Sequence, residues 1–254
     1  MTTFSHPHPL PRLDDRVILV TGASAGIGRA SALLLARCGA TVVLLSRQEP
    51  LLEAVYDEID AAGGPTPALV PFDLAQATPA RCAQLAEVIE AQLGRLDGVL
   101  HNAAVLGDLT PLANYDPDTW DRVMQINLRA PYLMTQALLP LLKASPDGRL
   151  VFMSSSVGRV ARAFWGAYAV SKAGIESLGK ILSDELGRTT PVRVHVVNPG
   201  ATRTNMRASA YPGENPATVK TPEETAPFLV WLLGPDSADM PGQSWDIPVP
   251  DARA

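Results

Sequence analysis

Tyr168-Ala-Val-Ser-Lys172 sets a phenol and an ammonium four residues apart, which puts both on one face of a helix. A phenol titrates near about pH 10 in water and is a poor base at neutrality. A close ammonium favours the phenolate and is expected to lower that value. A tyrosine placed this way exchanges a proton with an alcohol or a carbonyl. The same spacing also suits an ordinary surface pair, so the motif needs company. Ser155 lies in a Ser154-Ser155-Ser156 run at the end of an apolar stretch. A hydroxyl there can hold a substrate oxygen, while Ser154 and Ser156 read as structural. Asn127 stands four residues before Pro131. Proline has no N–H and clashes with the carbonyl four residues back. The Asn127 carbonyl is therefore expected to lose its helical partner and to be free for a water. A kink made only for packing is the alternative.

These groups need a scaffold, and the apolar pattern supplies one. Strands are expected at 16–21, 41–45, 68–73, 96–101, 150–154, 192–198 and 244–247. Helices are expected at 27–38, 51–62, 78–93, from 116 onward, 164–187 and 222–233. Thr78 and Asp116 read as caps, each followed by a proline in the first turn. Strand and helix alternate throughout, with no linker and no repeat. The fold class is therefore α/β, a single doubly wound parallel sheet with helices on both faces. Such sheets bind ligands at the carboxyl ends of their strands.

Between the first strand and the first helix the chain reads TGASAGIG, residues 21–28. Gly22 allows a tight turn, and Gly26 clears space where a pyrophosphate would meet the backbone. Gly28 lets the helix pack on the strand, and the helix start offers free N–H groups to phosphate. An ordinary strand–helix turn would look similar. At the end of the second strand, Ser46 stands where an acidic residue would bind a ribose 2′-hydroxyl, and Arg47 follows. Arginine makes paired contacts to phosphate, so the pair favours NADP, with NAD the alternative.

Taken together, TGxxxGxG, His101-Asn102-Ala103-Ala104, Ser155, Tyr168-x-x-x-Lys172 and Asn198-Pro199-Gly200 resemble the short-chain dehydrogenase/reductase family, over roughly residues 14–247. Ser155 precedes Tyr168 by the interval that family shows. The resemblance implies a Rossmann fold and an NAD(P)-dependent oxidoreductase interconverting an alcohol and a ketone or aldehyde. It implies a catalytic set of Asn127, Ser155, Tyr168 and Lys172, with an Asn127-bound water relaying protons. It implies cofactor contacts at Gly22, Ser24, Gly26, Ile27, Gly28, Arg47, Asp73, Leu74, Asn102, Ala103, Tyr168, Lys172, Pro199, Gly200 and Thr204. His101 stands for an Asn, Ala104 for a Gly, and Trp245-Asp246-Ile247-Pro248 for the V-D-G-G of many members. The resemblance also implies a homo-oligomer, a dimer or tetramer, paired through the helices that begin near 116 and 164. A non-enzymatic dinucleotide sensor on the same fold is the alternative. Epimerases and dehydratases are usually longer after the sixth strand, where only residues 201–221 precede the last helix here.

Composition agrees with this reading and closes other routes. The 254 residues are 46% hydrophobic and 19% charged, which excludes disorder and permits one large domain. The net charge of −5 argues against a nucleic-acid partner. No apolar run is long enough to cross a membrane. Cys38 and Cys82 read as buried small hydrophobes, and no Cys/His group has metal spacing. A cytoplasmic setting is the default. Residues 1–12, with Pro-rich sequence and His6 and His8, read as a disordered arm before a single domain at 13–254. The substrate is expected to be a small carbonyl or alcohol, met by 106–115 and 202–221.

Overall fold

The structure, a computed structural model, describes residues 10–238, 240 and 242–247. Residues 1–9 of the expected arm, His6 and His8 among them, lie outside the described residues, as does Pro248. Seven parallel strands form one sheet in the order β3-β2-β1-β4-β5-β6-β7. They are β1 (Val17–Thr21), β2 (Thr41–Ser46), β3 (Ala68–Pro71), β4 (Gly98–His101), β5 (Arg149–Met153), β6 (Arg193–Asn198) and β7 (Ser244–Asp246). Parallel neighbours need a crossover between them, and helices supply it. The chain runs outward from β1 to β3, then returns to place β4 on the other side of β1. That reversal opens a crevice at the carboxyl ends of β1 and β4.

Both faces of the sheet are covered, so the strands are apolar on both sides and alternate between two cores. Ile18, Val20, Val42, Leu44 and Val151 point into one core, with α1 (Gly26–Arg37), α2 (Glu49–Ala61) and α9 (Pro222–Leu232). Leu19, Val43, Leu45, Val99 and Phe152 point into the other, with α3 (Pro79–Leu93), α5 (Ala130–Ala144) and α7 (Gly166–Leu186). Cys82 is buried in the second core as expected, whereas Cys38 is only partly buried where it packs against the first; both thiols are free. Among the described residues, no helix is long and apolar enough to cross a membrane.

Local sequence sets the helix starts. Thr78 Oγ1 accepts from Arg81 N at 3.3 Å and caps α3. Asp116 Oδ2 accepts from Thr119 N at 2.8 Å and caps α4 (Pro117–Met124). Thr221 and Glu224 form a reciprocal capping box at α9. The short helix α6 (Ser156–Arg159) follows β5, and α8 (Asn205–Ala210) follows β6. The helix expected from Phe164 starts at Gly166 instead. Phe164 has a φ of 73°, in the left-handed region that no α-helix accepts, and Gly166, with a φ of 30°, is the first helical residue.

Two histidines are held neutral in the sheet. His101 stacks on Phe152, and its Nε2 lies 3.0 Å from Thr135 Oγ1. Burial brings it down to about 3. His195 accepts from Trp245 Nε1 at 3.1 Å, and burial, with Arg149 and Arg193 adding to it, also brings it to about 3. Below about pH 6.5 the unfolded chain takes up protons at these positions and the folded one does not. Stability therefore falls as the pH drops through 6.5, and the loss grows until about 3. From pH 7 to pH 5 the expected loss is about 2 kcal/mol per histidine. Urea unfolding at the two pH values checks this, and His101→Gln should shrink the difference. Equal midpoints at pH 7 and pH 5 would show that neither histidine is buried neutral.

Candidate active site

The turn after β1 is shaped to approach a ligand closely. Gly22 and Gly26 have φ values of 68° and 53°, in the left-handed region that favours glycine. Gly28 leaves no room for a side chain. A Cβ there would press on the Gly22 carbonyl oxygen and come within 2.5 Å of Asn102 Nδ2. A Cβ on Gly26 would lie 3.2 Å from the methyl of Thr204, across the mouth of the turn. The cap position of α1 is Ala25, which has no side chain to bond the first N–H groups. Those donors are left for an anion, unlike those of α3, α4 and α9. The cradle and its donors fit a dinucleotide phosphate.

Neighbouring strands lock this turn. Thr21 Oγ1 accepts from the backbone N–H of Asn102 and of Ala103, both at 3.0 Å. Asn102 Nδ2 donates to the Thr21 carbonyl at 3.1 Å. Asn102 thus fastens the end of β4 to the end of β1, and Thr21 is the partner that sequence reading passed over. Ser24 Oγ and Ser46 Oγ lie 2.9 Å apart and fix the turn to the end of β2, with exposed Arg47 next in line. Asp73 Oδ1 accepts from Ala75 N at 2.9 Å, so its carboxylate also shapes the short turn at Leu74–Gln76.

The proton-transfer groups gather at the end of β5. Tyr168 is 8% exposed and Lys172 3% exposed. Burial pushes the phenol above its usual value, and a hydrogen bond with Ser155 pulls it partly back. The ammonium donates to the Met153 carbonyl at 2.7 Å and stands 5.7 Å from the centre of the Tyr168 ring. Burial brings Lys172 down to about 8. The expected lowering of the phenol by Lys172 is not what this arrangement produces, because desolvation dominates and the ammonium turns to the carbonyl.

Asn127 sits behind the cleft. The expected continuous helix from 116 is instead broken into α4, a π-helical turn at Gln125–Arg129, and α5. The wider turn accommodates Pro131, whose ring would clash with an α-helical carbonyl at 127. The Asn127 side chain accepts from Val105 N at 2.8 Å and donates to Val105 O at 2.9 Å. It also donates to Ser171 Oγ at 3.1 Å, and that hydroxyl donates to the Tyr168 carbonyl at 2.8 Å. Asn127 thereby ties the segment after β4 to the helix that carries Tyr168 and Lys172.

A cleft of about 600 Å³ joins these parts. Gly22, Ser24, Gly26, Ile27, Arg47, Asp73, Leu74, Asn102, Ala103, Ser155, Tyr168, Lys172, Pro199, Gly200 and Thr204 all line it. Gly28 and Asn127 do not, since one packs under the turn and the other stands behind Val105. Of the segments expected to meet the substrate, the first contributes Leu106 alone to the lining, and the second contributes 202–207, 210 and 211. Val157 and Trp165, which sequence reading did not place, line the cleft too. At its edge, Asn198 Nδ2 donates to Asp246 Oδ1 at 2.7 Å, and Arg159 Nη1 pairs with Asp246 Oδ2 at 2.6 Å. The departing Trp245-Asp246 sequence thus holds the Pro199-Gly200 turn.

The family model for short chain dehydrogenases matches residues 16–215. The chain belongs to that family. This short chain dehydrogenase is similar to the oxidoreductase YciK of Escherichia coli (strain K12), with 50% identity over 234 residues, 92% of each chain. A short chain dehydrogenase from Shigella flexneri 2a str. 301, complexed with NADP, superposes with a TM-score of 0.90 at 50% identity, covering 94% of this chain and 99% of that one. One from Escherichia coli CFT073, complexed with NADPH, gives a TM-score of 0.90 at 50% identity, covering 94% and 98%.

Proposed function

We propose that this short chain dehydrogenase uses NADP(H) to interconvert an alcohol and a ketone or aldehyde. The observation that carries the reading is the meeting of Ser155, Tyr168 and buried Lys172 at one end of a cleft whose other end is the glycine turn. In reduction, bound NADPH supplies the hydride to the carbonyl carbon, chemistry that belongs to the cofactor. Ser155 donates a hydrogen bond to the carbonyl oxygen and orients it. Tyr168, kept protonated by burial, gives its proton to that oxygen. Lys172, brought down to about 8 by burial and 5.7 Å from the centre of the Tyr168 ring, takes part in returning a proton to the phenol. The Asn127 carbonyl, which Pro131 cannot bond, is the acceptor this reading gives to a relay water.

NADP over NAD rests on three supports. Ser46 is neutral, Arg47 lines the cleft beside it, and two relatives at 50% identity were crystallised with NADP and NADPH. Arg47→Ala should weaken NADPH binding by about 1.5–3 kcal/mol, roughly 10- to 150-fold, and NADH binding little. A binding titration with both cofactors decides. Equal losses would remove Arg47 from the 2′-phosphate.

The protein acts as a homo-oligomer in this reading. Tyr132 on α5 and Val170 and Ile181 on α7 are exposed apolar residues, at 47%, 44% and 54%. A two-fold contact must be self-complementary, and these helices offer such a face. Light scattering at micromolar concentration should give a multiple of 27.0 kDa. A monomer mass alone would contradict it. The direct test of the activity is a panel of carbonyl compounds with NADPH, followed by loss of the reduced nicotinamide absorbance.

A further inference from the structure

Val157, Tyr168 and Ala169 form a small buried apolar cluster, separate from the two cores that cover the sheet. Leu106, Trp165 and Met206, partly buried, pack against it and line the cleft. The Trp165 ring centre lies 5.8 Å from that of Tyr168 and 5.9 Å from that of Tyr211. Three rings therefore run outward from the phenol along one wall. Ring centres this close leave no room for another ring between them, so an occupant must lie against the wall. Half-buried aromatic faces in a cleft gain contact when a flat apolar body covers them.

Charge narrows the occupant further. Five charged residues line the cleft, namely Arg47, Asp73, Lys172, Arg203 and Arg207. Arg47 and Asp73 follow β2 and β3, on the far side of β1 from the rings. Lys172 donates to the Met153 carbonyl. Arg203 is exposed and sits next to Thr204, whose methyl faces Gly26. Arg207 is held by both oxygens of Glu214, at 2.7 and 2.6 Å, and its guanidinium lies 3.7 Å over the Tyr211 ring. Its charge is met within the protein, and it stiffens the wall. A carboxylate or phosphate brought against the rings would lose its hydration and meet an arginine, Arg207, whose charge Glu214 already holds.

We propose that the substrate is an uncharged ketone or aldehyde carried on a flat aromatic ring, which lies against Trp165 and Tyr211 with its carbonyl oxygen at Ser155 and Tyr168. The proposal rests on the oxidoreductase reading above. The step balances as carbonyl plus NADPH plus a proton giving alcohol plus NADP⁺. The hydride forms the new C–H bond, and the Tyr168 proton forms the O–H bond. Trp165 is the specificity-determining residue.

The test measures NADPH oxidation by the full chain with benzaldehyde, acetophenone, hexanal and pyruvate. Trp165→Ala and Trp165→Phe are run beside the native protein, with NADPH affinity measured on each. The two aryl compounds should be preferred by roughly tenfold or more in kcat/KM. Trp165→Ala should remove most of that preference through KM, Trp165→Phe should keep it, and NADPH affinity should not move. Pyruvate or hexanal reduced as well as the aryl compounds would overturn the substrate class while leaving the oxidoreductase reading in place. So would an equal effect of Trp165→Ala on aryl and aliphatic compounds. Failure to reduce any of the four with NADPH bound would overturn the oxidoreductase reading, and the substrate class with it.

Discussion

Tyr168→Phe should abolish carbonyl reduction and leave NADPH binding intact. The substitution deletes one hydroxyl from a side chain already packed by Val157, Ala169 and Trp165, so the ring keeps its place. What goes is the proton donor beside Ser155. Positioned acid–base groups contribute roughly 10²–10⁴-fold, and the loss in kcat should fall in or beyond that range. The phosphates would meet the glycine turn, at the other end of the cleft, so NADPH affinity should stay within a few-fold. Stopped-flow turnover and a fluorescence titration on one preparation separate the two effects. Near-native turnover in the variant would remove Tyr168 from the chemistry.

Gly28→Ala should damage both stability and cofactor binding, although it adds a single methyl group. The added Cβ would press on the Gly22 carbonyl oxygen and on Asn102 Nδ2 at 2.5 Å. One is backbone, and the other is fixed by its bond to the Thr21 carbonyl. Neither gives way cheaply, so α1 must lift from β1. Overpacking of this kind typically costs about 1–3 kcal/mol, and rigid neighbours put this case at the upper end. The N–H groups at the start of α1 move with the helix, so NADPH affinity falls as well. Gly213→Ala is the control, since nothing lies within 4 Å of a Cβ there. It should leave both unchanged. A Gly28→Ala protein with native unfolding midpoint and native NADPH affinity would show that the turn is less tightly built than described.

Much of this architecture could be read from the chain because the governing physics is local. Runs such as Val17–Thr21 and Thr41–Ser46 must be strands buried on both faces, and the caps at Thr78 and Asp116 follow from short side chains ahead of prolines. The glycine positions were legible for the same reason. What escaped the sequence depends on distant neighbours. Pro131 announces a disturbed helix, but not that the disturbance is a π-helical turn, nor that Asn127 within it reaches Val105 and Ser171, which lie far along the chain. The left-handed backbone at Phe164 has no signal in its residue type. The electrostatics of Tyr168 and Lys172 turn on burial and, for the phenol, on a hydrogen bond with Ser155, and the depth of burial is not something spacing reveals. The Trp165–Tyr211 wall joins two segments that only the folded chain brings together.

The most direct test of the central claim follows one atom. NADPH deuterated at nicotinamide C4, on the face presented to the substrate, is incubated with the protein and a carbonyl compound that it reduces. Mass spectrometry of the alcohol should find the deuterium on the carbinol carbon, with no label when Tyr168→Phe replaces the native protein. Tight NADPH binding without deuterium transfer to any carbonyl offered would contradict the account and point to a dinucleotide sensor.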